Sequence, residues 1–580
     1  MKKRDDKFKL RNFLKLITKR EKFYLIFSLL FVVFSIAFRF YIPIIIGQYI
    51  DGFIKHQPFD YNRLVLLISI IFTTSVGSYI ANIFLVLFSE SYISNLRNTL
   101  FEKVNYCSIS YIDRNYKGDV IGKITTDCEY ISIGIQNGLT NYLEGITIII
   151  STLIYMFTVN FIMAFCVIGL TSFSVFVTFL LDRFGKRFFR ERVKNNGDLQ
   201  AFSFETLNNY ELERSYNLEK YSQNIFKEKS NNLKASSRKS MWIGSLVNPS
   251  TRIVNNIIFA TVILLGVVLC VIPVAGLTFT IGNLASFIAY TNQYMKPFNE
   301  IASVNECISL ASASLRRIND LLEVDIDKDI AENPADFEQN IENIEINNLD
   351  FGYSENHLTL KNINFKLNKG EKLAIVGTTG SGKTTIINLI MRFYNPQTGE
   401  LDFNNISYRD LSKKSLRNKM TMVLQETWIF NGTILDNIRY GNEDISYEEV
   451  VKASKLTTAD DFISRLADGY NTKISATSGL SIGEMQLICI TRMLLNEADF
   501  IILDEATSNV DLRNEQKIYN GVNLLLKDKT SIVIAHRLST IISADKIIVL
   551  DQGQIIEEGN HKSLMQKKGF YYNLYRSQFE

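Results

Sequence analysis

The chain has 580 residues, of which 47% are hydrophobic and 21% charged, with a formal net charge of +3. That length is too great for one hydrophobic core, so at least two domains are expected; the small net charge gives no ground for a nucleic-acid partner. Six cysteines stand singly with no C-x-x-C pair, which points away from a zinc site and from a disulfide framework.

The first 22 residues, MKKRDDKFKLRNFLKLITKREK, are basic, and no A-x-A-like cleavage site follows the apolar run after them. They read as a retained cytoplasmic segment. FKLRNFLKLI spaces its apolar residues helically and suits a membrane surface; the plainer reading is a solvated basic tail.

A spanning helix needs about 20 mostly apolar residues. Phe23 to Ile50 and Leu64 to Phe88 qualify, and Tyr142 to Leu181 is long enough for two spans with a turn near Asn160. Ile253 to Val274 and Leu277 to about Gln293 make a fifth and a sixth. Two long Lys/Arg-rich segments interrupt the spans, about Glu90 to Asn137 and Arg183 to Ser250. Basic long loops and nearly uncharged short ones place both termini on the cytoplasmic side. At that length the long loops are expected to be helical extensions. Arg39 and Glu144 lie inside spans, where ionisable groups mark either a structural pair or the lining of a polar cavity; Arg252, at a span's end, can snorkel.

From about Ile344 the chain reads as a soluble α/β domain. LAIV, a buried strand, runs directly into GTTGSGKTT and then the apolar helix IINLIMRFY. This is the phosphate-loop pattern G-x-x-x-x-G-K-[ST] in its proper strand–loop–helix setting. Gly377, Thr378, Thr379, Gly380, Ser381, Gly382, Lys383, Thr384 and Thr385 form it. Glycines let backbone N–H groups turn around phosphates at a helix N-terminus. Lys383 reaches the β- and γ-phosphates, and the Thr384 hydroxyl suits Mg²⁺. FIILDEA then puts Asp504 and Glu505 at the C-terminal end of a strand, where open α/β sheets bind ligands; Asp504 suits Mg²⁺ and Glu505 suits polarising a water. TSIVIAH ends in His536, within reach of a γ-phosphate; taken alone it reads as a hydrogen-bonded structural residue.

Six spans followed by this domain resemble a half-transporter of the ATP-binding cassette (ABC) exporter superfamily, over nearly the whole chain. Tyr353 in LDFGY sits where that family stacks an aromatic on adenine. Gln425 in MVLQETWIFNGTILDNIRYG sits at the Q-loop, a position associated with catalysis and Mg²⁺. Asp511 in SNVD resembles the D-loop and His536 the switch histidine. YIDRNYKGDVIGKITTD resembles the first cytoplasmic coupling region, and Phe204 and Glu205 in AFSFETLNN the second. The resemblance implies ATP and Mg²⁺ as cofactors, ATP hydrolysis coupled to transport with Lys383, Gln425, Glu505 and His536 in the catalytic set, and a multi-pass protein of the cytoplasmic membrane. It also implies a division into a segment at 1–22, a six-helix transmembrane domain at 23–318 with long cytoplasmic extensions, a linker at 319–343 and a nucleotide-binding domain at 344–580.

In this family the ATP is sandwiched between one subunit's phosphate loop and the partner's signature loop, usually LSGGQ. Here Leu480–Glu484 reads LSIGE. Ser481 and Gly483 remain, but Ile482 replaces a glycine and Glu484 a glutamine. A branched Cβ resists close approach and positive φ, and a carboxylate repels a triphosphate unless screened or turned away. With Lys383, Gln425, Glu505 and His536 intact, this asymmetry resembles one member of a heterodimeric exporter. A homodimer of two weakened sites, an ATP-gated regulator or channel, and an importer are the alternatives; the fused domains argue against the last. The cargo class (small molecule, lipid or peptide) stays open.

Overall fold

The computed structural model describes residues 16–271, 279–354, 357–423, 427–475, 479–496, 498–504, 512–534 and 541–579. The chain divides into two compact units. One takes the chain up to Asn105 together with Tyr116–Val324; the other joins Tyr106–Asn115 to everything from Asp325 onward.

The first unit is helical throughout its described residues. Long helices run over Tyr61–Tyr106, Thr140–Val159, Phe161–Asn208, Glu219–Val271 and Ile281–Leu322. They are preceded by Lys19–Ile54, which is broken at Phe40 into Lys19–Arg39 and Tyr41–Ile54. The break has a sequence cause. Pro43 cannot donate to the carbonyl of Arg39 four residues back, and its ring crowds that carbonyl. Lys19–Ile54, Tyr61–Tyr106 and Arg252–Val271 are long and apolar enough to cross a bilayer. Glu144–Val159 and Phe161–Phe173 are shorter apolar stretches. The last helix starts only at Ile281, where Thr280 caps the Asn283 N–H. It carries buried Ser286 and Thr291 that bond back to their own helix carbonyls, which lowers its apolarity. Most of the basic segment of residues 1–22 lies outside the described residues.

Two polar anchors tie this unit together. Glu21 is fully buried yet satisfied: Ser91 Oγ and Asn95 Nδ2 donate to one oxygen and the Thr18 N–H to the other. At the far end of the first span Asp51 accepts from Thr280 Oγ1 (2.6 Å) and from the Gly282 N–H (2.8 Å), capping the last helix. Gly47 and Gly282 let these helices touch backbone to backbone; a Cβ on Gly282 would stand 2.0 Å from the Gly47 carbonyl oxygen. Arg39, half-buried, donates to Ser78 Oγ at 3.5 Å. Glu144 is half-buried and Arg252 exposed, and an Arg39–Glu144 pair is not among the described ion pairs.

The second unit is built on a six-stranded sheet. In spatial order its strands are Gln554–Gly559, Lys546–Asp551, Lys372–Gly377, Thr530–Ile534, Phe500–Asp504 and Met420–Val423. All neighbours are parallel except the first pair. LAIV is buried on both faces: Leu373 and Ile375 enter one core, Ala374 and Val376 the other. That is why the strand reads as a continuous apolar run. A four-stranded antiparallel sheet, ordered Leu360–Asn368, Asn343–Phe351, Thr398–Phe403 and Ile406–Ser407, carries Tyr353 just beyond one of its strands.

Gly282→Ala is expected to lower the apparent unfolding temperature of the detergent-solubilised chain by several degrees, because the clash is with backbone and overpacking costs about 1–3 kcal/mol. Gly169→Ala, with nothing within 4 Å of its Cβ, is the control and leaves the temperature unchanged or slightly raised.

Candidate functional site

The phosphate loop joins the end of the Lys372–Gly377 strand to the helix Lys383–Ile390. Gly380 and Gly382 take left-handed backbone, φ +81° and +104°, which side chains resist. Gly377 is bare because a Cβ there would meet the Leu550 carbonyl at 2.2 Å and Ser381 Oγ at 2.7 Å. Thr378, Thr379, Gly380 and Thr384 are exposed along the rim, whereas Ser381, Gly382, Lys383 and Thr385 are buried. Lys383 Nζ donates to the carbonyls of Gly377 and Thr378, both at 2.9 Å, which fixes the ammonium over the loop.

Asp504 pairs in register with Ile534, and Ile534 with Ile375. The carboxylate therefore sits level with the strand that feeds the loop, and it is buried. Gln425, Glu505, Asp511 and His536 lie outside the described residues. Tyr353 is 40% exposed. Its hydroxyl donates to Thr385 Oγ1 (3.3 Å) and accepts from Asn388 Nδ2 (3.1 Å), so the adenine-stack candidate leans on the phosphate-loop helix itself.

These residues fit a nucleotide. The Ser381 hydroxyl is buried without a hydrogen-bond partner, and such a group calls for an acceptor. The loop's turned N–H groups and the helix N-terminus supply an anion cradle. Thr384 and Asp504 offer the hard oxygen donors that Mg²⁺ takes. The metal ion, when bound, neutralises charge on the β- and γ-phosphates.

The signature stretch departs from expectation twice. Ile482 opens the helix Ile482–Leu494 and is not among the residues with left-handed backbone. Glycine's conformational freedom is therefore not what this position lacks; the difference is bulk, since Ile482 is 46% exposed. The Glu484 carboxylate folds back onto its own helix end. One carboxylate oxygen accepts from the Ser481 N–H (2.8 Å) and from Ser481 Oγ (2.9 Å), while Ser481 Oγ accepts from the Glu484 N–H (3.2 Å). This is a capping box. Gly483 is buried beside it.

Sequence reasoning missed a set of contacts made by the short helix Ile109–Arg114. Arg114 Nη2 donates to the Tyr353 carbonyl (3.1 Å), and Tyr394 Oη donates to Asp113 Oδ2. Burial and Asp113 together push the Tyr394 hydroxyl's pKa upward. The segment's entry is held by the Asp327 N–H on the Tyr106 carbonyl (2.8 Å). Asp327 in turn binds Lys413 and Arg417. The only signal in the sequence was the coupling-region resemblance of YIDRN; nothing in it named the acceptors.

A cavity of about 380 Å³ lies between the Met420–Val423 strand and the signature helix, walled by Trp428, Tyr440, Gln486, Cys489 and Arg492 among others. Arg492 stacks on Tyr440, 4.5 Å to the ring centre. Gln486 Oε1 is buried without a partner, and burial raises the Cys489 thiol's pKa.

Membrane-length helices fused to a phosphate-loop α/β domain with a signature helix define an ATP-driven membrane transporter. The model for the ABC transporter transmembrane region matches residues 25–298, and that for the ABC transporter domain matches residues 360–508. A Bacillus subtilis protein, the uncharacterized ABC transporter ATP-binding protein YfiC, is 33% identical over 100% of this chain and 96% of its own length. The fatty acid ABC transporter ATP-binding/permease protein of Mycobacterium tuberculosis is 31% identical over 83% of this chain and 76% of its own. The ATP-dependent lipid A-core flippase of Syntrophus aciditrophicus is 31% identical over 91% and 88%. A solved bacterial Atm1-family ABC exporter with ATP bound shares the fold, with a TM-score of 0.80 over 96% of this chain and 98% of that one at 24% identity. The chain belongs to the ABC transporter family. It is an exporter-type, multi-pass membrane protein that hydrolyses ATP to drive transport, as the motifs implied.

Tyr394→Phe and Arg114→Ala are each expected to speed amide hydrogen exchange across residues 108–115 while leaving the Lys383–Ile390 helix protected. Unchanged exchange in both variants would show that these bonds do not hold the segment.

Proposed function

We propose that this chain is one half of a heterodimeric exporter. Its Lys383, Thr384, Gln425, Asp504, Glu505 and His536 complete a competent ATP site with a partner's intact signature loop. Its own LSIGE loop completes a weaker site against the partner's phosphate loop. The observation that carries this reading is the capping box at Ser481–Glu484. A γ-phosphate bound in trans needs the donors at this helix end. Here Ser481 N–H and Oγ–H already point at an internal carboxylate, and that carboxylate repels the incoming anion. Losing one such preorganised donor costs roughly 10²–10³ in rate elsewhere.

Glu505 is the proposed base, and Lys383 stabilises charge in the transition state. The cavity walled by Trp428, Tyr440 and Gln486 supports docking of the partner's second coupling segment, the counterpart of Phe204 and Glu205 here; Phe204 is correspondingly exposed on its own helix end. Positive-inside asymmetry supports cytoplasmic termini. Two relatives carry lipid-like cargo in their names, fatty acid and lipid A core, and an amphiphile is the cargo class we favour. A homodimer with two weakened sites is the rival reading.

Purified alone, the chain is expected to hydrolyse ATP slowly. Ile482→Gly with Glu484→Gln should raise that rate about tenfold or more, because a neutral amide removes the repulsion and holds the Ser481 donors less tightly than a carboxylate does, and adding Glu505→Gln should abolish the gain. Robust hydrolysis by the unaltered chain, lost on Glu505→Gln, would sink the heterodimer.

A further inference from the structure

We propose that the groove between helices Phe161–Asn208 and Glu219–Val271, lined by Phe188, Arg238, Lys239, Trp242 and Ile243, holds the headgroup of an anionic phospholipid of the cytoplasmic leaflet. The leaflet rests on the orientation proposed above; the groove does not. It is open, with a volume of about 550 Å³.

Depth comes first. The two helices run side by side, and Gly185 faces Ile243: a Cβ on that glycine would lie 3.3 Å from Ile243 Cγ2. Gly185 is four residues, about 6 Å, past Leu181, where the apolar run ends. Ile243 is nine residues, about 14 Å, before the start of the Arg252–Val271 span. The groove is therefore bracketed between the headgroup layer and the water beyond it, within reach of long cationic side chains. Trp242 is 69% exposed there, and tryptophan is a residue type of the interfacial aromatic belt.

Charge comes second. Residues 182–192 carry five cations and two carboxylates, and residues 234–242 carry three cations and no carboxylate. Arg183, Arg187, Arg190, Arg238 and Lys239 are exposed, and none has an ion-pair partner among the described residues. The next groove down the same hairpin differs. It is lined by Asp198, Glu228 and Lys229 with two asparagines and Ile225, so its own lining carries no excess of positive charge. Basic pockets between membrane helices on the cytoplasmic side are the setting for anionic headgroups.

Shape comes third. Phe176, Leu180, Arg183 and Arg187 recur at helical spacing on one face. Phe176, Phe179 and Leu180 are exposed at hydrocarbon depth, and the arginines follow directly. An apolar stripe that turns cationic at the headgroup matches a phospholipid along its length. A second copy of this chain would bring the same cations against these, so like charge disfavours it as the occupant.

The chain has only two tryptophans, so Trp428→Phe leaves Trp242 as the sole emitter. The full chain is reconstituted in phosphatidylcholine containing a small fraction of lipid brominated high on its acyl chains. Brominated phosphatidylglycerol is expected to quench Trp242 several-fold more than brominated phosphatidylcholine at equal mole fraction. Arg238→Gln with Lys239→Gln should reduce this to the phosphatidylcholine level. Arg238→Lys should keep the preference, as should Arg192→Gln with Lys194→Gln, and inorganic phosphate should not compete. Equal quenching by the two lipids overturns the proposal. So does equal loss in both double variants, which would mean diffuse attraction, displacement by phosphate, or a Trp242 that neither lipid reaches because another chain covers it.

Discussion

One short helix ties the phosphate loop to the rest of its unit. Lys383–Ile390 spans about 12 Å, with the phosphate cradle at its N-terminus. Its other end is clamped. Arg417 donates to the carbonyls of Met391 (2.9 Å) and Arg392 (2.8 Å), capping the helix. Arg392, fully buried and in left-handed backbone, donates to the Leu411 carbonyl. Burial lowers its pKa, and Asp329 at 3.9 Å partly compensates. Two residues on, Tyr394 holds Asp113. Tyr353 rests on Thr385 and Asn388 of the same helix and receives Arg114 on its carbonyl. Tyr353, the phosphate loop, the Asp327–Asp329 stretch and the Ile109–Arg114 helix thus share one support. A packed interior transmits strain with little compression, which couples the cradle to Asp113 through Tyr394.

The linker belongs to that support. Asp327 and Asp329 meet Lys413, Arg417 and Arg392, while the Asp327 backbone bonds Tyr106. Half-buried clusters with several partners hold geometry better than isolated exposed pairs, which contribute about 0–1 kcal/mol. Their effect here is to keep the entry to the Ile109–Arg114 helix in register with the end of the phosphate-loop helix.

Much of this was legible in the residues. The phosphate loop announced itself because its glycines, lysine and flanking strand and helix are demanded together by one chemistry. The membrane helices announced themselves through length. The break at Phe40 was written in Pro43 but is easily lost inside an apolar run. The contacts of Asp113 and Arg114 were not readable, since they depend on which surfaces the fold brings together across more than two hundred residues. The last helix begins later than its apolar run suggests, because its start is set by the Thr280 cap and by Asp51.

The stretch SGLSIGE shows a different kind of difficulty, because two valid rules apply to the same residues. Read as a signature loop, Glu484 is a defect. Read as S-x-x-E before an apolar helix, it is an N-terminal cap, a pattern typically contributing about 1 kcal/mol to helix stability. The fold adopts the second reading, and the two are linked. The donors that stabilise the helix locally are those that, in the function proposed above, a phosphate would need from across a dimer interface. In the proposed dimer, a carboxylate that bonds Ser481 more firmly than an amide would weakens only a contact made in trans and leaves the Lys383 side of the molecule untouched. Asymmetry between two ATP sites can therefore arise from an ordinary local stabilisation at a single helix end, with no cost to folding and none to the site built on this chain's own phosphate loop.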